Sequence, residues 1–141
     1  MRKNSGFTLA EVLVSIAVLA LVMGGVVQGY IVSAKLGDWQ AYSLAGQSLA
    51  QQGIERCRSV KWDTRSSPPV DQLQGTNFPT STNELNIPVP TTNSVYATCY
   101  TTISTITANP PLRMIEVDCV WPFMNKKYYT NSVYTYRAPD Q

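Results

Sequence analysis

From Phe7 to Val27 the chain runs 21 residues without a proline and with a single ionisable side chain, Glu11. About 20 apolar residues cross the hydrocarbon core of a bilayer as a helix, so this stretch predicts a membrane span. Met1-Arg2-Lys3-Asn4-Ser5 precedes it, and its two positive charges predict a cytoplasmic N-terminus with the remainder exported. A secretory signal would have a shorter apolar region, 7–15 residues, and a small-residue cut after it. Gly24-Gly25 imitates such a cut and keeps that reading as the competitor. Gly24, Gly25 and Gly29 each weaken a helix by about 1 kcal/mol relative to Ala. Two readings of them stay open, close packing against neighbouring helices and a joint between two halves.

Past the span, Tyr30 to about Lys61 contains no proline. Leu36, Trp39, Tyr42, Gly46, Leu49, Gly53, Cys57 and Val60 recur there at steps of three, four or seven. That spacing draws an apolar or small stripe along one helical face, opposite Asp38, Gln47, Gln51 and Glu55. Joined to the span, the helix is expected to exceed 50 residues, about 80 Å at 1.5 Å per residue. Residues 64–95 are expected to be a long connecting loop without regular structure, because Pro68, Pro69, Pro79, Pro88 and Pro90 punctuate it.

Beyond it the period changes to two. Tyr96–Ile106 and Met114–Trp121 flank Ala108-Asn109-Pro110-Pro111 and read as antiparallel strands. Folding about Asn109 sets Cys99 opposite Cys119, Thr101 opposite Val117 and Ile103 opposite Ile115, all on one face with Trp121. Tyr100, Thr102, Ser104, Glu116 and Asp118 fall on the other, more polar face. A slip of one residue would destroy this agreement between register and polarity. A second turn over Pro122–Lys127 leads to a third strand, Tyr128–Tyr136. Directly opposed residues lie within reach of a disulfide, so Cys99 and Cys119 are a candidate pair; the alternative is two buried thiols facing the helix. Cys57 is left unpaired on the helix stripe.

Gly6-Phe7-Thr8-Leu9-Ala10-Glu11, after a basic leader and before an apolar run, resembles the class III signal peptide of type IV pilins and type II secretion pseudopilins. The close match covers Gly6 to Val27, and the layout of a long helix followed by strands extends it loosely over the chain. The resemblance implies cleavage by a prepilin peptidase after Gly6, with Phe7 as the new, N-methylated terminus and Glu11 as the fifth mature residue. It implies an α+β, pilin-like fold: 1–6 leader, 7–29 transmembrane half of the helix, 30–63 amphipathic half, 64–95 αβ-loop, 96–141 antiparallel sheet. It implies other pilin or pseudopilin subunits and an inner-membrane assembly platform as partners, with Glu11 satisfied by the Phe7 amine of a neighbouring subunit. Val117-Asp118-Cys119-Val120-Trp121, a turn and a Tyr/Thr strand look most like minor pilins, which points to a minor subunit. The competing class is a bitopic inner-membrane protein whose exported binding domain never polymerises.

Composition narrows the chemistry further. Charged residues make up 14% of the 141, against about 25% in average soluble domains. Without Arg2 and Lys3 the chain has nine basic and nine acidic residues, an argument against a nucleic-acid binder, which shows a basic face or stripe. Arg56, Arg58, Lys61 and Arg65, interspersed with Glu55 and Asp63, read as a solvated helix end. The chain has no histidine and hence not the commonest general base. Neither a phosphate-binding loop nor a serine nucleophile elbow appears, so an enzyme is not expected. Three cysteines without metal-like spacing predict no zinc site, and no run of Asp and Glu predicts the calcium loop of some major pseudopilins. No cofactor is expected.

Overall fold

The computed structural model describes residues 7–87, 94–124 and 127–140. The architecture is α+β and pilin-like: one long helix, α1 (Leu9–Ser59), followed by strands. The strands are β1 (Trp62–Asp63), β2 (Val70–Asp71), β3 (Ser81–Glu84), β4 (Tyr96–Ala108), β5 (Pro111–Phe123) and β6 (Lys127–Arg137). The chain divides into two compact units between Asp38 and Trp39.

In the first unit α1 stands uncovered. Its large apolar side chains, from Leu9 and Leu13 to Val27 and Ile31, are exposed, and the helix passes through Gly24, Gly25 and Gly29 without a break. Among the described residues α1 is the one helix long and apolar enough to cross a membrane.

In the second unit the part of α1 from Trp39 to Ser59 buries Tyr42, Gly46, Ala50, Ile54 and Cys57, steps of three and four that mark one helical face. Trp39, Leu49, Gly53 and Val60 flank this row, half-buried. The expected stripe thus stands shifted by one position at two points, with Ala50 and Ile54 taking the centre. Leu36, expected on the stripe, is exposed; it lies in the first unit, ahead of the covered segment.

That face meets an antiparallel sheet with strand order β3-β4-β5-β6. Cys99 faces Cys119, Thr101 faces Val117 and Ile103 faces Ile115, as the alternation of apolar and polar positions requires. Between Thr105 and Thr107 the register slips by one, so the hairpin closes as Ala108 opposite Pro111. Ile115, Val117, Cys119 and Trp121 point to the helix and are fully buried. A disulfide joins Cys99 to Cys119, whose Cα atoms are 4.1 Å apart. Cys57 is free and buried, and burial pushes its thiol pKa up.

Two glycines allow the close approach of helix and sheet. A Cβ on Gly46 would stand 2.8 Å from Cδ1 of Trp121, and one on Gly53 2.9 Å from Cγ1 of Val117. The Trp121 ring cannot easily yield. It stacks on Tyr129 with centroids 5.2 Å apart, and its Nε1–H donates to Oδ1 of Asn131, whose Nδ2 donates to Ser43 Oγ at 3.2 Å. Trp39, Tyr42 and Phe123 complete this aromatic end of the core.

The stretch 64–95, expected to lack regular structure, contains three elements. β2 pairs with β1 through Trp62 opposite Asp71, a 3-10 turn covers Gly75–Asn77, and β3 pairs with β4 through Ser81 opposite Cys99. The sheet therefore has four strands where three were expected. β3 reads Ser-Thr-Asn-Glu, and a polar edge strand gives no alternation signal; its place is set by the buried Leu73, Phe78 and Leu85 around it. Pro88 and Pro90 lie outside the described residues.

Two arginines fasten the loop and the tail. Arg113 grips both carboxylate oxygens of Asp71 at 2.7 and 2.8 Å, donates to Leu73 O, and lies 4.5 Å over the Trp62 ring. Arg137 donates to the carbonyls of Cys57 and Val60 at the end of α1, 2.8 and 2.7 Å away. Those carbonyls are among the groups that a helix end leaves without internal partners. Asp140 pairs with Arg137 at 2.8 Å and accepts from the Trp62 N–H at 2.8 Å, tying the chain terminus to β1.

Truncating the buried face should cost far more than truncating the outer one. Ile115→Ala or Trp121→Ala should cost about 2–5 kcal/mol, and Tyr100→Ala or Ser104→Ala much less, in urea unfolding of a chain truncated just ahead of Trp39. Gly46→Ala should also destabilise, because an overpacking cost of about 1–3 kcal/mol exceeds the helix-propensity gain of up to ~1 kcal/mol. Equal sensitivity of the two faces would contradict this packing.

Acid should loosen the loop and the tail. Hydrogen bonds from the Arg113 side chain hold the Asp71 carboxyl below the ordinary aspartate pKa, and the Trp62 N–H followed by Arg137 does so for Asp140. A depressed folded pKa gives stability that is present above the unfolded value, near 4, and is lost as pH falls through the folded values. The urea midpoint should fall below about pH 4, and Asp140→Asn should flatten that fall while lowering the midpoint at pH 7. An unchanged pH profile in this variant would remove Asp140 from the account.

Candidate assembly site at the N-terminus

The helix begins at Leu9 because Thr8 and Glu11 close its first turn. The Thr8 hydroxyl accepts from the Glu11 N–H at 3.3 Å, and Glu11 Oε2 accepts from the Thr8 N–H at 2.7 Å and from its hydroxyl at 2.8 Å. This reciprocal arrangement is a capping box, which satisfies donors that the helix start leaves open. An acidic group here is also favoured by the positive end of the helix dipole. The Ser15 hydroxyl donates to the Glu11 carbonyl one turn on.

Phe7 stands just ahead of the cap, 87% exposed. With Val12, Ser15, Ile16 and Leu19 it lines a shallow, mainly apolar groove along α1. Gly6 lies outside the described residues, so the Gly6–Phe7 junction is known only as sequence. Phe7 thus stands just ahead of the first turn that holds Glu11. Cys99 and Cys119 belong to the sheet of the second unit. Among the described residues no group of three His, Cys, Asp or Glu side chains is placed to hold a metal ion.

Both bonds to the Glu11 carboxylate fall on Oε2; Oε1 has no partner among the described residues. The carboxylate can therefore cap its own helix and still accept from a further donor. Glu11, expected to find its partner on a neighbouring subunit, has a local one in Thr8. The signal was present, since Thr8-Leu9-Ala10-Glu11 is itself the Thr-x-x-Glu signature of a helix start.

Residues 1–27 match the family model of the prokaryotic N-terminal methylation motif. This is the class III signal peptide of type IV pilins. The motif supports a type IV pilin-like precursor with a membrane-anchoring N-terminal helix, the kind of chain that a prepilin peptidase processes and that assembles with other pilin subunits. It points to a structural subunit. No curated protein and no solved structure matches the chain. The match covers the signal and the span, and the second unit is known by its α+β arrangement alone.

Removing the cap should fray the first turn. Thr8→Val should cost the helix start about 0.5–2 kcal/mol, read as faster amide exchange at Glu11 and Val12 by NMR in detergent micelles. Thr8→Ser should keep slow exchange. Equal exchange in all three chains would mean that the box does not hold the turn.

Proposed function

We propose that the chain is a structural subunit of a type IV pilus or a type II secretion pseudopilus, cleaved between Gly6 and Phe7 and methylated on Phe7. The observation that carries this reading is the methylation motif running into the start of a helix whose apolar side chains are exposed among the described residues. Such a surface is stable in a bilayer or against other apolar helices, not in water. The positive charges of Arg2 and Lys3 support a leader on the cytoplasmic side of the inner membrane, with the residues beyond the span exported. Residues 1–6 act as leader and 7–29 as the membrane half of the helix; the amphipathic half runs on to Ser59, and the connection that follows it contributes β3 to the sheet otherwise formed within 96–141. The stretch Val117–Trp121 and the Tyr/Thr strand after it favour a minor subunit.

The mechanism is packing. The platform extracts the processed subunit, and its helix exchanges lipid contacts for contacts with other helices. Glu11 then loses access to water at the membrane surface, and a charge buried without a partner is costly. The free Oε1 accepts the Phe7 amine of a neighbouring subunit while Oε2 keeps the cap. The pairing sets the axial register between subunits. ATP hydrolysis for extraction comes from a partner, and the Cys99–Cys119 disulfide staples the exported sheet in an oxidising compartment.

One experiment tests both the processing and the role of Glu11. The chain and its Glu11→Ala variant are co-expressed with a prepilin peptidase and partner pilins, then read by mass spectrometry and by cross-linking into filaments. Both chains should begin with N-methyl-Phe7, and only the unaltered one should incorporate. An intact Met1, or a cut near Gly24-Gly25, would sink the reading. Processing without incorporation of the unaltered chain would mark the bitopic, non-polymerising alternative.

A further inference from the structure

The carboxylates of the second unit are divided unevenly. Four ion pairs among the described residues engage Glu55, Asp63, Asp71 and Asp140. Glu84, Glu116 and Asp118 take no part in them, and all three stand on the sheet face turned away from the helix. The register places each of them directly opposite a tyrosine: Glu84 faces Tyr96, Asp118 faces Tyr100 and Glu116 faces Tyr134. These tyrosines are 53%, 46% and 66% exposed. Among the described residues no lysine or arginine shares this face. Arg113 and Arg137 point to the helix side, engaging Asp71, Leu73 and the end of α1, and Lys127 lies over the Tyr129 ring of the inner aromatic group.

A carboxylate beside a tyrosine ring, repeated three times, suits the guanidinium group. The carboxylate can accept a bidentate pair of N–H bonds while the plane stacks on the ring. Directly opposed residues stand about 4.5–5.5 Å apart at Cβ, so one arginine can touch both members of a pair. Tyrosine and arginine are also enriched in protein interfaces. A single bound cation is not the fitting occupant, because no three acidic groups among the described residues are close enough to share one.

The same unit carries a complementary surface. Arg56, Arg58, Lys61 and Arg65 are exposed at and just beyond the end of α1. Arg58 pairs with Glu55 and Lys61 with Asp63, whereas Arg56 and Arg65 enter no ion pair among the described residues. Because α1 covers the inner face of the sheet, this end cannot reach the outer face of its own chain.

We propose that the outer sheet face, through its three tyrosine–carboxylate pairs, docks the arginine-bearing helix end of a second copy of this chain. The contact is heterologous, head to tail, and such contacts propagate instead of closing as a twofold dimer does. It rests on the filament-subunit reading and names one of that subunit's neighbours. Two adjacent copies suffice for it, so it holds for a minor subunit as for an abundant one.

The test uses the full chain co-expressed with a prepilin peptidase and purified in detergent micelles, with p-benzoylphenylalanine at position 102, opposite Glu116. At low salt, irradiation should give a dimer whose cross-link maps to residues 56–65, and its yield should fall as salt screens the charges. Glu116→Lys with Asp118→Lys, or Arg56→Glu with Arg65→Glu, should each lower the yield at least about tenfold, since facing like charges repel. Mixing the two variants should restore it, because the second keeps an acidic face and the first a basic end. Arg56 and Arg65 are exposed and Glu116 and Asp118 half-buried on the outer face, and circular dichroism checks that each variant folds. Absence of the dimer in the starting chain, a yield unchanged in either variant, or a cross-link outside 56–65 overturns the proposal. Loss with the face variant alone assigns the face to an arginine-bearing protein other than this chain and overturns it too. The N-terminal mass is read on the same sample. A chain that begins with N-methyl-Phe7 yet shows no charge-dependent dimer overturns this inference alone; an unprocessed chain that shows the dimer overturns only the filament reading.

Discussion

The second unit depends on how closely one helical face can approach one sheet face. Gly46 and Gly53 leave room that Trp121 and Val117 fill, with no space for a methyl group between them. This proximity brings Ala50, Ile54 and Cys57 against Ile115, Val117 and Cys119, all of them buried to 1% exposure or less. Protein interiors pack as densely as organic crystals, so contact at this distance fixes the angle and position of the helix as well as its burial. The indole N–H that this packing takes out of water is satisfied by Asn131, and Asn131 in turn by Ser43 on the helix.

Around that contact, a unit of about a hundred residues needs help in holding its margins, because small domains bury a modest fraction of their surface. The covalent link between Cys99 and Cys119 ties the two central strands. Arg113 fastens the connecting loop, and Arg137 the end of α1. Both arginines stack or hydrogen-bond in several directions at once, which a lysine cannot do. Their carboxylate partners sit near the surface, so the desolvation cost that weakens a deeply buried ion pair is small here.

The first unit obeys different physics. From Phe7 to Val27 its side chains are almost all apolar and all exposed, and Glu11, the one acidic group of that stretch, is engaged by the first turn of its own helix. The division suits the methylation motif found at residues 1–27, which marks an N-terminal apolar helix set apart from the folded remainder. The second unit carries its polarity outward on a sheet face rich in tyrosine.

How much of this was legible in the sequence follows from the range of each interaction. The span, the amphipathic helix and the central hairpin are written in local periodicity, and a hairpin's register depends on a turn and two alternating strands only. So Cys99 opposite Cys119 and the buried Ile115–Trp121 face could be read directly. The capping box was equally local, in Thr8 and Glu11, and passed unread beside the stronger signal of the Gly-Phe junction. β3 could not be read, because Ser81–Glu84 has no apolar alternation and becomes a strand only where β4 offers an open edge. Nor could the centring of the helix on Ala50 and Ile54, which the bulk of Trp121 and Val117 decides from the opposite layer. The same holds for Arg113 and Arg137: their partners lie 42 and 80 residues away, a separation that only the folded chain closes.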